Sequence, residues 1–529
     1  MKRCLVTISL SAILLGGCTD KKPAAQAPVL PRDTSIVAAN AFTHLCIDSS
    51  SVRAFIDTAV KDSALATDIL GFYNSRNFQY AWFDEEGLNE SADAFWNVRR
   101  STASAIKDSA AQEEDPGNGM DSLLTGDRGT YSVRDRDKIE LMLTYQFIRY
   151  INPGAPGMIS PEEVKWYIPP KKIDPVAALD TFLANNTRKW RPLGSSFNLL
   201  KEKLRLYSAI LRRGGWPEVT QKKKDARRGM SSPEIQTLKE RLKITGDFSP
   251  TSSGPVFDAA LEQSIKRVQW EYGLSETGRI DKALISELNI PVKERIRQML
   301  INLQRMKWMP DEGSDYILAN IPEYRLRVYK NDTVALSMRI VVGKAAHHTV
   351  IFSDSLKYIV FSPYWNIPAS IVRNEIVPAM ERNKNYLDLH NMEITGRSGS
   401  LPIVRQRPGN ANALGKVKFL FPNSYNIYFH DTPQKDLFDK QHRAFSHGCI
   451  RLQHPVALAK LLLAGDPKWT DKKINQAMHR SIEKWVTLER PIPVYIVYFT
   501  SWVDDDGSLH FAKDIYGHDR ILADHLFKE

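Results

Sequence analysis

Apolar residues recur every three to four positions through the first half of this chain and every second position after about residue 313, and that switch of period is the strongest constraint on its fold. A helical period cannot lie flat as a strand, so the two halves must build different layers. In the front half, Phe55, Ala59 and Val60 space one amphipathic helix, and Leu141, Tyr145, Ile148 and Arg149 continue the pattern. Leu200, Leu204, Tyr207 and Leu211 space another, which stops at Gly214-Gly215. Residues about 104–130 are polar and glycine-rich and read as a surface insertion. Residues 44–215 contain nothing that reads as catalytic, so they are expected to form a helical scaffold.

A compact helical unit is expected over 231–291. Ser232 can cap a helix with Pro233 at its first position, and Ile235, Leu238 and Leu242 follow at helical spacing. A second helix runs from Phe257 to Tyr272 and a short third from Lys282 to Leu288, joined through Gly273-Leu274-Ser275-Glu276-Thr277-Gly278-Arg279-Ile280-Asp281.

The strand texture begins with Tyr316–Ile321. Tyr324–Tyr329 and Val334–Val342 flank Asn331-Asp332 as a hairpin, and Tyr358–Phe361 gives another apolar run. Tyr425–His430 alternates, with Tyr425, Ile427 and Phe429 on one face and Asn426, Tyr428 and His430 on the other. Pro493–Phe499 supplies a late strand, while helical spacing returns at Val456–Leu463 and around Ile474–Trp485. Residues about 366–418 break the strand pattern with polar residues, Gly and Pro, and read as an inserted lid. The fold class is therefore multidomain α+β: two helical units, then a mostly β domain over 313–500, then an extension over 501–529.

Charge and cysteine usage narrow the setting. The formal net charge is +11, but the basic residues are scattered apart from Lys222–Lys224 with Arg227 and Arg228, which read as a solvated loop and not as a nucleic-acid site. Lys2 and Arg3 precede an apolar stretch, Leu5–Leu15, too short to span a bilayer, which ends at Gly16-Gly17-Cys18. That pattern is a secretory signal over 1–17, followed by a Pro- and Ala-rich linker over 18–43. With Cys4 in the signal and Cys18 at its end, Cys46 and Cys449 remain for the mature body. An exported chain pairs its cysteines, buries them or uses them. Cys46, beside Phe42 and Leu45, reads as core; Cys449 sits among His and Gly and needs another account.

That account lies in His430-Asp431-Thr432-Pro433 and Arg443-Ala444-Phe445-Ser446-His447-Gly448-Cys449-Ile450-Arg451. A thiol of ordinary pKa near 8.5 is mostly protonated at neutral pH, so a nucleophilic Cys449 needs a neighbouring base. His430, at the end of an alternating strand, has a fixed ring direction; His447 is the other candidate base. The turn Ser446-His447-Gly448 can point successive N–H groups one way, as an oxyanion requires. His430, His447, Cys449 and His442 are also zinc-ligand types, but no Cys-x-x-Cys or His-Glu-x-x-His spacing accompanies them. His347, His348 and His454 read as surface histidines.

These residues resemble the catalytic motif of L,D-transpeptidases, a His followed after 15 to 20 residues by Ser-His-Gly-Cys-hydrophobic-Arg. Val341-Val342-Gly343-Lys344 and Pro363-Tyr364-Trp365-Asn366-Ile367-Pro368 also look like blocks of that family. The turn at Gly273–Asp281 resembles that of the three-helix peptidoglycan-binding domain, although 231–291 as a helical spacer stays open. Trp216 after Gly214-Gly215 resembles the junction that follows the scaffold in large members. The N-terminus resembles a bacterial lipoprotein signal. The resemblance implies Cys449 as nucleophile and His430 as base, with the ring oriented by the Asp431 backbone carbonyl. It implies an oxyanion hole from the N–H groups of His447, Gly448 and Cys449, a pocket organised by Arg451, and a substrate wall from Tyr364 and Trp365. It further implies 3→3 cross-linking of peptidoglycan stem peptides through a Cys449 thioester, with no metal or organic cofactor. L,D-carboxypeptidase action and lipoprotein-to-wall attachment share the same nucleophile. Other wall-synthesis enzymes are the expected protein partners. A lipid on Cys18 would hold the body in the periplasm, at the outer membrane because Thr19 and not Asp follows it.

Overall fold

The computed structural model describes residues 29–37, 43–96 except Ala94, 131–151, 159–170, 174–184, 194–220, 226–249, 254–310 and 312–527. The signal segment with Cys18, the 104–130 insertion and Lys222–Lys224 lie outside the described residues. Among those described, no helix is long and apolar enough to cross a membrane.

Helix α1 (Ser49–Ala59) starts where the Asp48 carboxylate accepts the Ser50 N–H, and α2 (Ser63–Ser75) where Asp62 accepts from Ala64. With α3 (Val133–Ile151) and α4 (Pro175–Ala184) they surround Trp82, Phe95, Phe147 and Phe182 in a core of their own. Cys46 is not part of it: the residue is exposed, in an isolated bridge with Gln79. The helical context expected there begins only at Ser49, so no helical face turns the thiol inward.

Helix α5 (Gly194–Arg212) leaves that core. Phe197, Leu200, Leu204 and Tyr207 join a second, much larger core, and the helix ends where Gly214 and Gly215 take φ of +95° and +83°. The three-helix unit follows as α6 (Pro233–Thr245), α7 (Ala259–Glu271) and α8 (Lys282–Leu288). Asp258 and Asp281 cap α7 and α8. Gln269 stitches the intervening turn, accepting the Gly278 N–H at 2.9 Å and donating to the Arg279 carbonyl at 3.0 Å. The unit's apolar side chains Leu238, Leu242, Ile265 and Leu284 belong to the same core as the β domain, so the two are welded together, in part through α9 (Val292–Lys307).

The β domain is one closed mixed sheet. An edge strand β1 (Trp166–Tyr167) comes from the helical front. Then come β2 (Tyr316–Asn320), β3 (Arg325–Lys330), β4 (Thr333–Gly343) and β5 (Ile351–Phe361). The lid strands β6 (Trp365–Asn366), β7 (Met392–Ser398) and β8 (Leu401–Gln406) interrupt. The domain resumes with β9 (Val417–Leu420), β10 (Phe429–His430), β11 (Ala444–Ser446), β12 (Ile450–Leu452) and β13 (Lys484–Val497). The order is β9-β10-β12-β4-β3-β2-β13-β5-β1, with β9 pairing back onto β5 and β11 beside β4. The pairing of β9 with β5 closes the path, which removes two open edges. The lid has its own small core of Ile367, Val372, Ile376, Met392 and Val404.

Two local readings are corrected. The strand expected over Tyr425–His430 is only Phe429–His430, because the Asn423 side chain accepts the N–H groups of Tyr425 and Ile427 and holds a turn there, with Asn426 at φ +55°. The helical spacing around Ile474–Trp485 covers a helix only at Asp471–Ala477, since Trp485 pairs with Val360 in β13. The segment past residue 500 is part of the fold: β14 (Ser501–Val503), β15 (Leu509–Phe511) and a helix at His518–Leu526 contribute Trp502, Phe511, Tyr516 and Leu522 to the large core.

Candidate active site

β10 and β12 run parallel, with Phe429 opposite Ile450 and His430 opposite Arg451. Phe429 and Ile450 are fully buried on one face. Alternation therefore sets Tyr428, His430, Cys449 and Arg451 together on the other.

His430 is 5% exposed, and its Nδ1 lies 2.5 Å from the Asp431 carbonyl oxygen. A carbonyl only accepts, so the proton is on Nδ1 and Nε2 keeps its lone pair. The Asp431 backbone is held in turn through its own carboxylate, which accepts the Lys416 and Thr432 N–H groups and the Lys435 ammonium. Burial, and then the Arg451 guanidinium, push the His430 pKa down to about 3, against the pull of the Asp431 carbonyl. At neutral pH the ring is a neutral base.

The Cys449 thiol donates to the Asn426 carbonyl at 3.6 Å. Burial raises its pKa, opposed by hydrogen bonds from the Tyr428 backbone and hydroxyl and by Arg451. The site thus holds a protonated thiol and a neutral imidazole. Tyr428 is a site residue that sequence reasoning passed over, although the alternation of Tyr425–His430 set it on the face of His430.

The turn before Cys449 is tight. Gly448 takes φ +116°, which favours glycine. Ser446 Oγ accepts the Gly448 N–H at 3.1 Å and donates to the Cys449 carbonyl at 2.6 Å. The Gly448 N–H, expected as an oxyanion donor, is bonded to Ser446 in this structure.

The remaining candidates separate. His447 is exposed, lies tilted against His347 with ring centroids 5.1 Å apart, and approaches Glu375 of the lid at 3.8 Å, in a π-helical turn at Val372–Ile376. His347 is exposed, as expected, and stands beside the Ser446–Gly448 turn, whereas His348 is half-buried and stacks on Tyr516 at 4.1 Å. His442 bonds the Tyr324 hydroxyl at 2.9 Å, and His454 is exposed. Among the described residues no group of three or more His, Cys, Asp or Glu could hold a metal ion. Arg451 reaches Gln434 at 2.5 Å, while its Nε is buried without a partner. Tyr364 lies under the Arg405 guanidinium at 4.2 Å, and Trp365 pairs with Gln406 where the lid begins. A cavity of about 370 Å³ bounded by Phe197, Tyr316, Arg327, Tyr329 and Trp502 contains none of these residues.

A thiol and an oriented, neutral imidazole on neighbouring strands of a closed mixed sheet define a cysteine–histidine site. Residues 314–470 match the L,D-transpeptidase catalytic domain, residues 67–210 a scaffold domain, and residues 231–288 the family described as "Putative peptidoglycan binding domain". The chain therefore carries three matched parts in one sequence: an L,D-transpeptidase catalytic domain, a scaffold domain and a peptidoglycan-binding-like domain. A Haemophilus influenzae protein described as "Putative L,D-transpeptidase" is 32% identical over 242 residues, covering 43% of this chain and 49% of that protein. The chain thus spans about half the length of this curated relative. An L,D-transpeptidase from Stackebrandtia nassauensis is 11% identical, covers 53% of this chain and 97% of its own, and superposes at a TM-score of 0.20. One from Xylanimonas cellulosilytica is 10% identical over 53% of this chain and 100% of its own, at 0.17. Superpositions this weak carry no argument.

Proposed function

We propose that the protein is an L,D-transpeptidase that forms 3→3 peptidoglycan cross-links through a thioester on Cys449. The observation that carries this is the neutral His430, its Nδ1 proton fixed on Asp431, on the sheet face that also carries Cys449. In this reading Sγ attacks the amide between the third stem residue and the terminal D-Ala of a tetrapeptide. The thiol proton passes to His430 Nε2 and leaves with the D-Ala amine. The side-chain amine of a second stem then attacks the thioester, so the energy of the cleaved amide is conserved and no ATP or cofactor is used. Arg451, with a buried Nε lacking a partner, suits a stem carboxylate.

The test is incubation of the full chain with disaccharide-tetrapeptide, followed by mass analysis of protein and products. Release of D-Ala together with a tripeptide adduct on Cys449 is the expected result, and release without any adduct would remove the thioester. Cross-linked dimers support transpeptidation, whereas free tripeptide alone means that water is the acceptor. In the same reading the body sits in the periplasm on a Cys18 lipid. Globomycin should block its processing, and unchanged processing would remove the anchor.

A further inference from the structure

Gly448 directs its carbonyl at the Thr349 hydroxyl, 2.7 Å away. The peptide unit joining Gly448 to Cys449 is planar, and in a trans peptide the C=O and N–H point in opposite directions. Holding the Gly448 oxygen therefore aims the Cys449 N–H at the far side of the turn. The preceding N–H, that of Gly448, is committed to Ser446. The Cys449 N–H is thus the donor of this turn whose direction is set from behind.

Thr349 is fully buried and both roles of its hydroxyl are used, since it also accepts the Gly343 N–H at 2.9 Å. Its own N–H donates to the Tyr516 hydroxyl at 3.3 Å, and that hydroxyl donates to the Gly343 carbonyl at 2.5 Å. Every amide here only donates and every carbonyl only accepts, so the two hydroxyls have one consistent orientation. The cycle is closed sterically as well. A Cβ on Gly343 would lie 2.0 Å from the His347 carbonyl oxygen, so no side chain fits there. Tyr516 comes from beyond β15, so the extension reaches to within two hydrogen bonds of the Gly448 carbonyl.

We propose that Thr349, held in place by Tyr516, is a positioning residue that presets the Cys449 N–H as the oxyanion donor of acyl transfer. This rests on the thioester reading above. As the sulfur–carbon bond forms, the carbonyl π pair moves onto oxygen and the thiol proton goes to His430 Nε2. The N–H meets that negative oxygen until the pair returns and the carbon–nitrogen bond breaks, with the proton leaving on the amine. Loss of one oxyanion donor typically costs on the order of 10²–10³ in kcat.

The experiment compares two reactions of the Cys449 thiol in the full chain, with alkylation read at Cys449 by peptide mass because Cys46 is also an exposed thiol. Acylation by the tetrapeptide donor makes an oxyanion; alkylation by iodoacetamide displaces iodide at a saturated carbon and makes none. In Thr349→Val, kcat for acylation should fall on the order of 10²-fold with little change in KM. Alkylation should stay within about twofold of wild type, since the thiol itself is not moved. Thr349→Ser should restore most of the acylation rate, and Tyr516→Phe should lose part of it, which gives a reading even if the valine variant folds poorly. Acylation at the wild-type rate in Thr349→Val overturns the proposal, and so does a parallel loss of alkylation, which would mean a displaced thiol. A wild-type protein that alkylates but never acylates overturns both this inference and the function it rests on.

Discussion

Trp270 of α7 meets the His510 imidazole edge-on at 4.5 Å, and the other side of that ring lies flat on Trp502 at 4.9 Å. The contact ties the three-helix unit to the β14–β15 hairpin. Arg295 reinforces it, lying over both Tyr272 and Phe511, and Gln441 donates to the Gly273 carbonyl from the loop that leads to Cys449.

The unit over 231–291 should therefore not be dispensable for chemistry. A unit that served only as a wall-binding tether would raise the local concentration of substrate and leave acylation by a small molecule alone. The shared core argues that its deletion exposes apolar surface of the catalytic domain. Trp270→Ala should cost about 2 kcal/mol, read as a fall in Tm of about 5 °C, and deletion of the unit should abolish carbapenem acylation. Undiminished acylation by the deletion variant would restore the tether.

Resemblance to L,D-transpeptidases implies acylation by carbapenems, so wild type should gain a covalent carbapenem adduct and Cys449→Ala none. Intact mass decides this, and an adduct on the alanine variant would place the nucleophile elsewhere.

His430→Ala should lose activity by at least about 10³-fold, set by the loss of the base, and His447→Ala far less. The His447 ring is turned toward His347 and Glu375, away from a buried, oriented position. Steady-state rates on both variants test it, and a larger loss at His447 would exchange the roles.

Acid should remove the stability that two buried imidazoles contribute. Burial pushes both His430 and His518 down to about 3, against about 6.5 in an unfolded chain. Between those values the unfolded chain binds protons that the folded one refuses, so the contribution of these two rings is full above about pH 6.5 and is lost as pH drops toward about 3, opposed by the buried Glu140 and Glu271 carboxyls, which burial pushes up to about 7. The slope is at most about 1.4 kcal/mol per pH unit for each ring. Urea midpoints of wild type and His518→Gln from about pH 7 to about pH 4 isolate the His518 share: the variant should lose less stability in acid, and parallel series would mean that the ring is hydrated.

The candidate site was legible because it is local: His430 and Ser446–Arg451 lie within a short span, and the structure sets His430 beside Arg451 on paired strands. The helices of the three-helix unit were legible through their apolar spacing and through Pro233 at the first position of α6, although the Ser232 side chain makes no cap bond there. Tyr425–His430 misled because its alternation is real while Asn423 imposes a turn that periodicity does not register. Cys46 misled for a similar reason, since apolar neighbours in sequence do not fix the side a thiol faces. Thr349 and Tyr516 left no trace, because hydroxyls 167 residues apart acquire a role only once the sheet brings them together.

The two-residue strand Trp166–Tyr167 has a consequence for any attempt to shorten the chain. It pairs in parallel with Ile351 and Phe352 of β5, covering a sheet margin that the closure by β9 does not reach. A fragment begun at residue 313 would present that margin bare, with apolar side chains on either side of unpaired amides. Such a margin recruits a second copy of itself, so the isolated fragment should aggregate, and its turbidity would reflect a missing neighbour and not a defective catalytic centre.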